Sequence, residues 1–416
     1  MQYQHHGIDP EENGAAMSRL VRIGMIGSGF SAHFHLAGYR KVYGRNFEIA
    51  AIAGRNTARV AELARQFGIP RQYASAEALM NDPDIDVVDL CVPNHLHVPL
   101  VLQAAARGKH IICEKPLGGY FGAPDSADSW SARGVPRQRM LEAVIAQARA
   151  VRAAIAHSGV TFCYAENWLY APPIAKLNRL MAASGSTILR IQGEESHSGS
   201  HSPYAKRWRT SGGGSLLRLC VHPIGAALHL KYEEGRRRHG VPIRPVSVMA
   251  QVANLTDIES FRRESRKHIV ADWDDVEDWA SIIVTFEDGA VAQLTSTDTK
   301  MGGIHNYLTA HGSRAVVSAN INPNNTCQAY TPDGDYFASE YLVEKTETKE
   351  GWSFPAPDED AVTGYPEELR DFIGAVAEAR APKSDLMLAI DVLLVVYAGY
   401  LSAEQKSSVD IRPYLL

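Results

Sequence analysis

Apolar residues along the first 165 positions fall into short, nearly unbroken runs, and the stretches between them carry helix-type spacing. Val21–Ile26, Phe47–Ala53, Asp86–Val92, His110–Cys113 and Val160–Tyr164 read as strands. The helix ends between them are legible. Asn56 can cap a helix that stops near Gly68, and Ser75 can cap a short one. Residues Pro99 to Arg107 close at Gly108, and a long helix from about Met140 closes at Gly159. Near-continuous apolar strands separated by helices predict a parallel sheet covered on both faces.

The rhythm breaks at Gly118–Arg139, a stretch rich in Gly, Ser, Pro and Asp. A lid, an oligomer arm and an ordered surface loop are all compatible with it. Beyond Tyr164 hairpin signals take over. Trp279–Phe286 runs into Glu287-Asp288-Gly289 and returns through Ala290–Leu294, which predicts a largely antiparallel sheet. Two helices follow, around Pro366–Glu378 and Leu386–Ala403. The expected architecture is an α/β unit over 21–165 (with the polar insert 118–139) and an α+β unit with a mainly antiparallel open sheet over 166–416. Residues 1–20 read as a polar extension.

Composition narrows the function classes. Of the 416 residues, 45% are apolar and 21% charged, with a net charge of -5, so no basic footprint for nucleic acid or an anionic membrane is present. The one basic run, Arg236-Arg237-Arg238, is short and reads as a solvated helix end or loop. No apolar run of about 18 residues is expected to cross a membrane. Cys91, Cys113, Cys163, Cys220 and Cys327 are odd in number and scattered, without a CxxC pair, which suits a reducing, cytoplasmic compartment and no zinc or disulfide.

Chemistry concentrates at strand ends. Gly27-Ser28-Gly29-Phe30-Ser31-Ala32 is a G-x-G-x-x-A that follows the first strand and opens a helix. Gly27 permits the tight turn, and Gly29 lets a pyrophosphate reach the helix amides. This is the fingerprint of a Rossmann dinucleotide site. At the end of the second strand, where an acid would bind the ribose 2′-hydroxyl, the chain has Gly54-Arg55-Asn56. A 2′-phosphate is then not repelled and Arg55 can meet it, so both NAD and NADP are allowed. Pro93, Asn94 and His97 follow the Asp86–Val92 strand, placed to meet the nicotinamide ribose; capping of the next helix by His95 or His97 is the equal alternative. Glu114-Lys115-Pro116 follows His110–Cys113 and sets an ammonium at the same edge, where it can hold a substrate oxygen. In Gly212-Gly213-Gly214-Ser215-Leu216-Leu217-Arg218-Leu219-Cys220-Val221-His222-Pro223, the glycines allow close approach of a ligand, and Arg218 and His222 would share one helical face.

These motifs, in this order, resemble the glucose–fructose oxidoreductase / inositol dehydrogenase / rhizopine catabolism (Gfo/Idh/MocA) family across nearly the whole chain, including a carboxy-terminal pattern of Tyr365, Glu368 and Phe372. The resemblance implies an amino-terminal Rossmann domain and a carboxy-terminal open-sheet domain that often mediates homo-oligomers. It also implies an NAD(P) cofactor, slightly favouring NAD, and a sugar, inositol or related polyol as substrate. By this resemblance Lys115 is the catalytic lysine and His222 the acid/base. The family usually carries an aspartate four residues before that histidine and often an acid three residues after it; here those positions are Arg218 and Gly225. Arg218 is left to pair with an acid such as Glu166 or Glu194, or to grip substrate.

The substrate wall is expected to include Tyr164, Glu166, Asn167 and Trp168, and the segment from Glu194, Glu195, Ser196 and His197 through His201, Tyr204, Lys206 and Trp208. Aromatic rings interleaved with acids and amides suit a sugar, which offers apolar faces and many hydroxyls. The expected reaction is hydride transfer between nicotinamide and a secondary carbinol carbon, with a glycoside among the candidate substrates. Two alternatives stand beside it: a glycoside-cleaving enzyme that uses transient oxidation on tightly bound NAD, and a non-catalytic nucleotide or sugar sensor.

Overall fold

The computed structural model describes residues 19–123, 127, 129–200, 202–322, 327–343 and 348–416. Nearly all of the extension 1–20, and His201, lie outside the described residues.

The first half alternates strand and helix: β1 Val21–Ile26, α1 Phe30–Tyr39, β2 Phe47–Ala53, α2 Thr57–Phe67, β3 Arg71–Tyr73, α3 Ala76–Met80, β4 Val87–Leu90, α4 His97–Ala106, β5 His110–Glu114, α5 Arg137–Ser158 and β6 Phe162–Ala165. The six strands pair in parallel in the order β3-β2-β1-β4-β5-β6. The caps act as the sequence suggests: the Asn56 side chain accepts from Arg59 N–H, Ser75 accepts from Ala78 N–H, and Gly68 and Gly159 end their helices in left-handed geometry. The short strand β3 was not expected. Its three residues, at the sheet edge with Gln72 exposed, carry no apolar run to betray them.

The second half contains α6 Pro172–Ser184, β7 Ile188–Ser196, α7 Trp208–Ser211, α8 Ser215–Arg218, α9 Val221–His239, β8 Pro245–Ala253, α10 Glu259–Arg262, β9 Trp279–Phe286, β10 Val291–Thr297, β11 His305–Gly312, β12 Val316–Asn320, β13 Ala329–Thr331, β14 Gly351–Ser353, α11 Glu359–Thr363, α12 Tyr365–Ala377, α13 Leu386–Gln405 and β15 Val409–Asp410. Its large sheet runs β12-β11-β7-β10-β9-β8-β15. The predicted hairpin is β9–β10, and the sheet is antiparallel except for the β7–β10 pair, so it is mixed. Arg236-Arg237-Arg238 closes α9 and is exposed.

Two expectations need correction. Arg218 and His222 do not share one helix, because α8 ends at Arg218 and α9 begins at Val221. The 20-residue helix α13 is long and apolar enough to cross a membrane, contrary to the reading of the sequence. It is a core helix, buried along most of its length between β8, α5 and α9. The described part of the 118–139 insert is bound to the second half, which fits the ordered-loop alternative. Tyr120 N–H donates to Tyr397 Oη at 2.7 Å, and Ser131 Oγ and Ala132 N–H donate to Asp275 at 2.9 and 2.7 Å.

Candidate active site

The nucleotide end is made of backbone. β1 turns into α1 at Gly27, whose φ of +126° is open to glycine, and a Cβ there would sit 2.0 Å from the Cys91 carbonyl oxygen. The turn is thus wedged against the loop after β4, at the point where the strand order reverses. Gly29 precedes α1, no side chain caps that helix, and a Cβ built on Gly29 meets nothing within 4 Å. Open space over an uncapped helix N-terminus fits a pyrophosphate. Ser28 lies against Gly54, Ser31 is half-buried in the first turn of α1, Phe30 is 67% exposed, and Arg55 is exposed at the end of β2. No acid stands beside Arg55 in the loop that follows β2, Gly54-Arg55-Asn56.

The reactive end is made of side chains. Strands β5 and β6 are neighbours, with Glu114 paired in register to Ala165. Lys115 and Glu166 therefore leave the sheet side by side. Lys115 Nζ donates to the Arg218 carbonyl oxygen at 3.1 Å, across to the second half. His222, in the first turn of α9, places Nδ1 2.7 Å from Glu166 Oε1, and its Nε2 lies 3.9 Å from Glu195 Oε2. The Trp168 ring lies over the imidazole at 5.9 Å with 12° between planes. Burial pulls the His222 pKa down to about 4, against the pull of Glu195. Burial pushes Glu166 well above the carboxylate range, and the Lys115 ammonium opposes this. Glutamate and histidine, distant in sequence, thus pair directly, with the lysine ammonium within electrostatic reach of both.

Behind them lies a buried polar cluster the sequence did not reveal. His35 Nδ1 is 2.9 Å from Asp89 Oδ2 and its Nε2 is 3.2 Å from Glu114 Oε1, while Tyr39 Oη donates to Asp89. Burial opposes the charge on His35, yet Asp89 holds its pKa well above the usual value. Glu114 in turn accepts Lys115 N–H at 2.9 Å, which anchors the lysine's own backbone. Glu368 is fully buried beside this group, both oxygens without a hydrogen bond, and burial pushes its pKa well up. No local signal marks the contacts of His35 and Tyr39 with Asp89 and Glu114, since each joins residues tens of positions apart.

Other expected site residues are taken up in packing and loop contacts. His97 is fully buried, with Nδ1 2.6 Å from the Pro116 carbonyl oxygen and Nε2 2.9 Å from that of Val92, so its ring pins two loops and is withdrawn from a ribose. Pro93 precedes a short turn in which Asn94 N–H donates to Tyr204 Oη and Asn94 Nδ2 to the Ser211 carbonyl oxygen. Trp208 belongs to the core instead of the substrate wall: it is 1% exposed, Nε1 donates to the Tyr120 carbonyl oxygen, and its ring meets Tyr400 and Arg137. Asn167 ties β6 to the Thr363 carbonyl oxygen, and Lys206 reaches that of Ala271. His197 Nδ1 accepts Gly199 N–H. Arg218 pairs with Asp298, not with Glu166 or Glu194, and lies 5.0 Å over Trp273; Glu194 pairs with Lys300 at 3.0 Å.

A parallel dinucleotide-binding sheet whose carboxyl edge faces the helices of an open-sheet half is the architecture of a two-domain, nicotinamide-dependent oxidoreductase. Residues 21–125 match the oxidoreductase family with NAD-binding Rossmann fold, and residues 186–318 match the GFO/IDH/MocA C-terminal domain, together more than half of the chain. The chain belongs to the Gfo/Idh/MocA family. It is 27% identical over 419 residues to levoglucosan dehydrogenase of Pseudarthrobacter phenanthrenivorans, covering 94% of this chain and 98% of that one. It is 25% identical to D-xylose 1-dehydrogenase (NADP(+)) 2 of Haloferax volcanii, covering 88% and 92%. Among solved structures, GenD2 from gentamicin A biosynthesis in complex with NAD shares the fold with a TM-score of 0.75 at 21% identity, covering 97% and 99%. Levoglucosan dehydrogenase in complex with NADH and L-sorbose does so at 0.69 and 22%, covering 94% and 99%.

Proposed function

We propose that the protein is an NAD(P)-dependent dehydrogenase that interconverts a secondary hydroxyl and a ketone on a sugar, glycoside or inositol. The observation that carries this reading is the meeting of the Lys115 ammonium, the His222 imidazole and the Glu166 carboxyl beside the carboxyl edge of a sheet with an open glycine turn. The nicotinamide, when bound, gives or takes the hydride. Gly27, Gly29 and the N-terminus of α1 would hold its pyrophosphate, and Arg55 the adenosine side. Lys115 holds the substrate oxygen and stabilises the alkoxide as it forms. His222, through Nε2, exchanges the hydroxyl proton. Names of related proteins support the substrate class, since they include levoglucosan and D-xylose dehydrogenases.

The buried thiols fit a reducing cytoplasm. The outer face of the large sheet, with Met249 and Ile283 half-exposed around a hollow that also includes Trp279, fits contact with a second copy of the chain. The reaction needs neither nucleic acid nor a membrane. The test is a panel of sugars, inositols and glycosides with NAD and with NADP, followed by absorbance of the reduced cofactor. Turnover with at least one polyol is expected; product formed without net cofactor reduction, or no rate with any of them, would overturn the assignment.

A further inference from the structure

The pairing of His222 with Glu166 depends on an absence. Gly225 lies one turn along α9 from His222, on the same side. A Cβ at 225 would lie 2.9 Å from Glu166 Cγ and 3.2 Å from its Cδ, so only glycine leaves room for the glutamate to reach the imidazole. Glu166 is fully buried; its Oε1 is 2.7 Å from Nδ1, and its Oε2 has no hydrogen-bond partner. The ionisable groups around the pair are Tyr164 on β6, Lys115 and Glu114 at the end of β5, Glu195 on β7 and Glu368 on α12. Trp168 closes the remaining face of the ring.

We propose that Glu166 is a positioning residue that also receives the substrate's proton: His222 takes it at Nε2 and passes its own Nδ1 proton to Glu166. The proposal rests on the hydride-transfer reading above. Its physical basis is the dryness of the site. An imidazolium beside a carboxylate is two charges removed from water, whereas a neutral imidazole beside a neutral acid holds the same single proton with no charge. Burial pushes both groups toward their neutral forms.

The step balances. Oxidation begins with Glu166 ionised, Nδ1–H donating to Oε1, and a lone pair on Nε2. The substrate O–H bond breaks as Nε2–H forms, and Nδ1–H breaks as Oε1–H forms. The carbinol hydride leaves with its two electrons to the oxidised nicotinamide, and a ketone and neutral Glu166 remain. Oxidation therefore speeds up as pH rises through the raised Glu166 pKa, and reduction slows over the same range.

The pair leaves a signature that needs no substrate. When Glu166 is protonated it donates to Nδ1, and the ring carries its hydrogen on Nε2; when ionised it accepts, and the hydrogen sits on Nδ1. Long-range ¹H–¹⁵N correlation of His222 in the nucleotide-free protein, assigned with His222→Gln, reads this directly. We expect a switch of tautomer with rising pH in the wild type and a single tautomer at every pH in Glu166→Gln. Glu166→Gln should also lose the pH dependence of oxidation and about 10²-fold of its rate, with nucleotide affinity unchanged. Gly225→Ala, which crowds Glu166, should reproduce part of that loss. One tautomer throughout in the wild type, or a wild-type pH profile in Glu166→Gln, overturns the relay. A tautomer switch in a protein that turns over no polyol would instead sink the dehydrogenase reading and leave the pair's proton exchange standing.

Discussion

The two ends of the cleft are built from different material. At the nucleotide end the working parts are backbone, and the space is kept by what is missing: no Cβ on Gly27 or Gly29 and no cap on α1. At the reactive end the working parts are side chains that hold one another, Lys115 on the Arg218 carbonyl, His222 on Glu166, and Glu114 between His35 and the lysine's amide. The first end is damaged by adding atoms, the second by removing them.

The contrast can be tested from the heavier blow to the lighter. Lys115→Ala removes the oxygen-binding ammonium and should lower kcat by about 10³-fold, while titration of the reduced nicotinamide's fluorescence still reports tight binding; retained turnover would end the lysine's assigned role. Gly29→Val adds bulk where nothing lies within 4 Å and where φ is an ordinary -88°. The variant should fold with an unchanged melting temperature yet bind nucleotide about tenfold more weakly or worse, which is about 1.4 kcal/mol. A normal dissociation constant would mean the open space is not the pyrophosphate's. Trp168→Phe thins the ring over His222 and should cost severalfold in kcat with little change in KM, checked by steady-state kinetics at saturating cofactor. Arg55→Ala is the mildest: a few-fold rise in KM for NADP alone, and an equal effect on both nucleotides would remove Arg55 from the choice between them.

The same contrast decides what the sequence disclosed. Gly27–Ala32 is legible because the turn, the strand before it and the helix after it are contiguous, and local rules govern all three. Asn56, Ser75 and Gly159 were legible for the same reason. Glu166 could be named as a wall residue but not as the partner of a histidine 56 positions on, because only the register of β5 with β6 and the entry of α9 bring them together. The partner of Arg218 was missed likewise: Asp298 is 80 positions away, just past the end of β10. Trp208 misled because an aromatic residue amid polar neighbours looks the same whether it lines a cleft or fills a core. Its indole hydrogen bond to Tyr120, in the insert, could not be read from spacing. The short helix α8 and the break after it escaped notice because the run Ser215–Val221 contains no proline or glycine to mark the break, and so satisfies either one continuous helix or two.

Helix α13 carries a consequence for how the chain is made. It lies near the carboxyl terminus, yet it packs on α5 and β6 of the first half as well as on β8 of the second. During synthesis the ribosome thus finishes the first sheet long before the apolar surface meant for α13 can be covered. The amino-terminal half has to wait, partly uncovered, until α13 has emerged. Premature termination anywhere before Leu386 would leave both halves unsealed, a molecule fit for proteases and chaperones and not for a substrate.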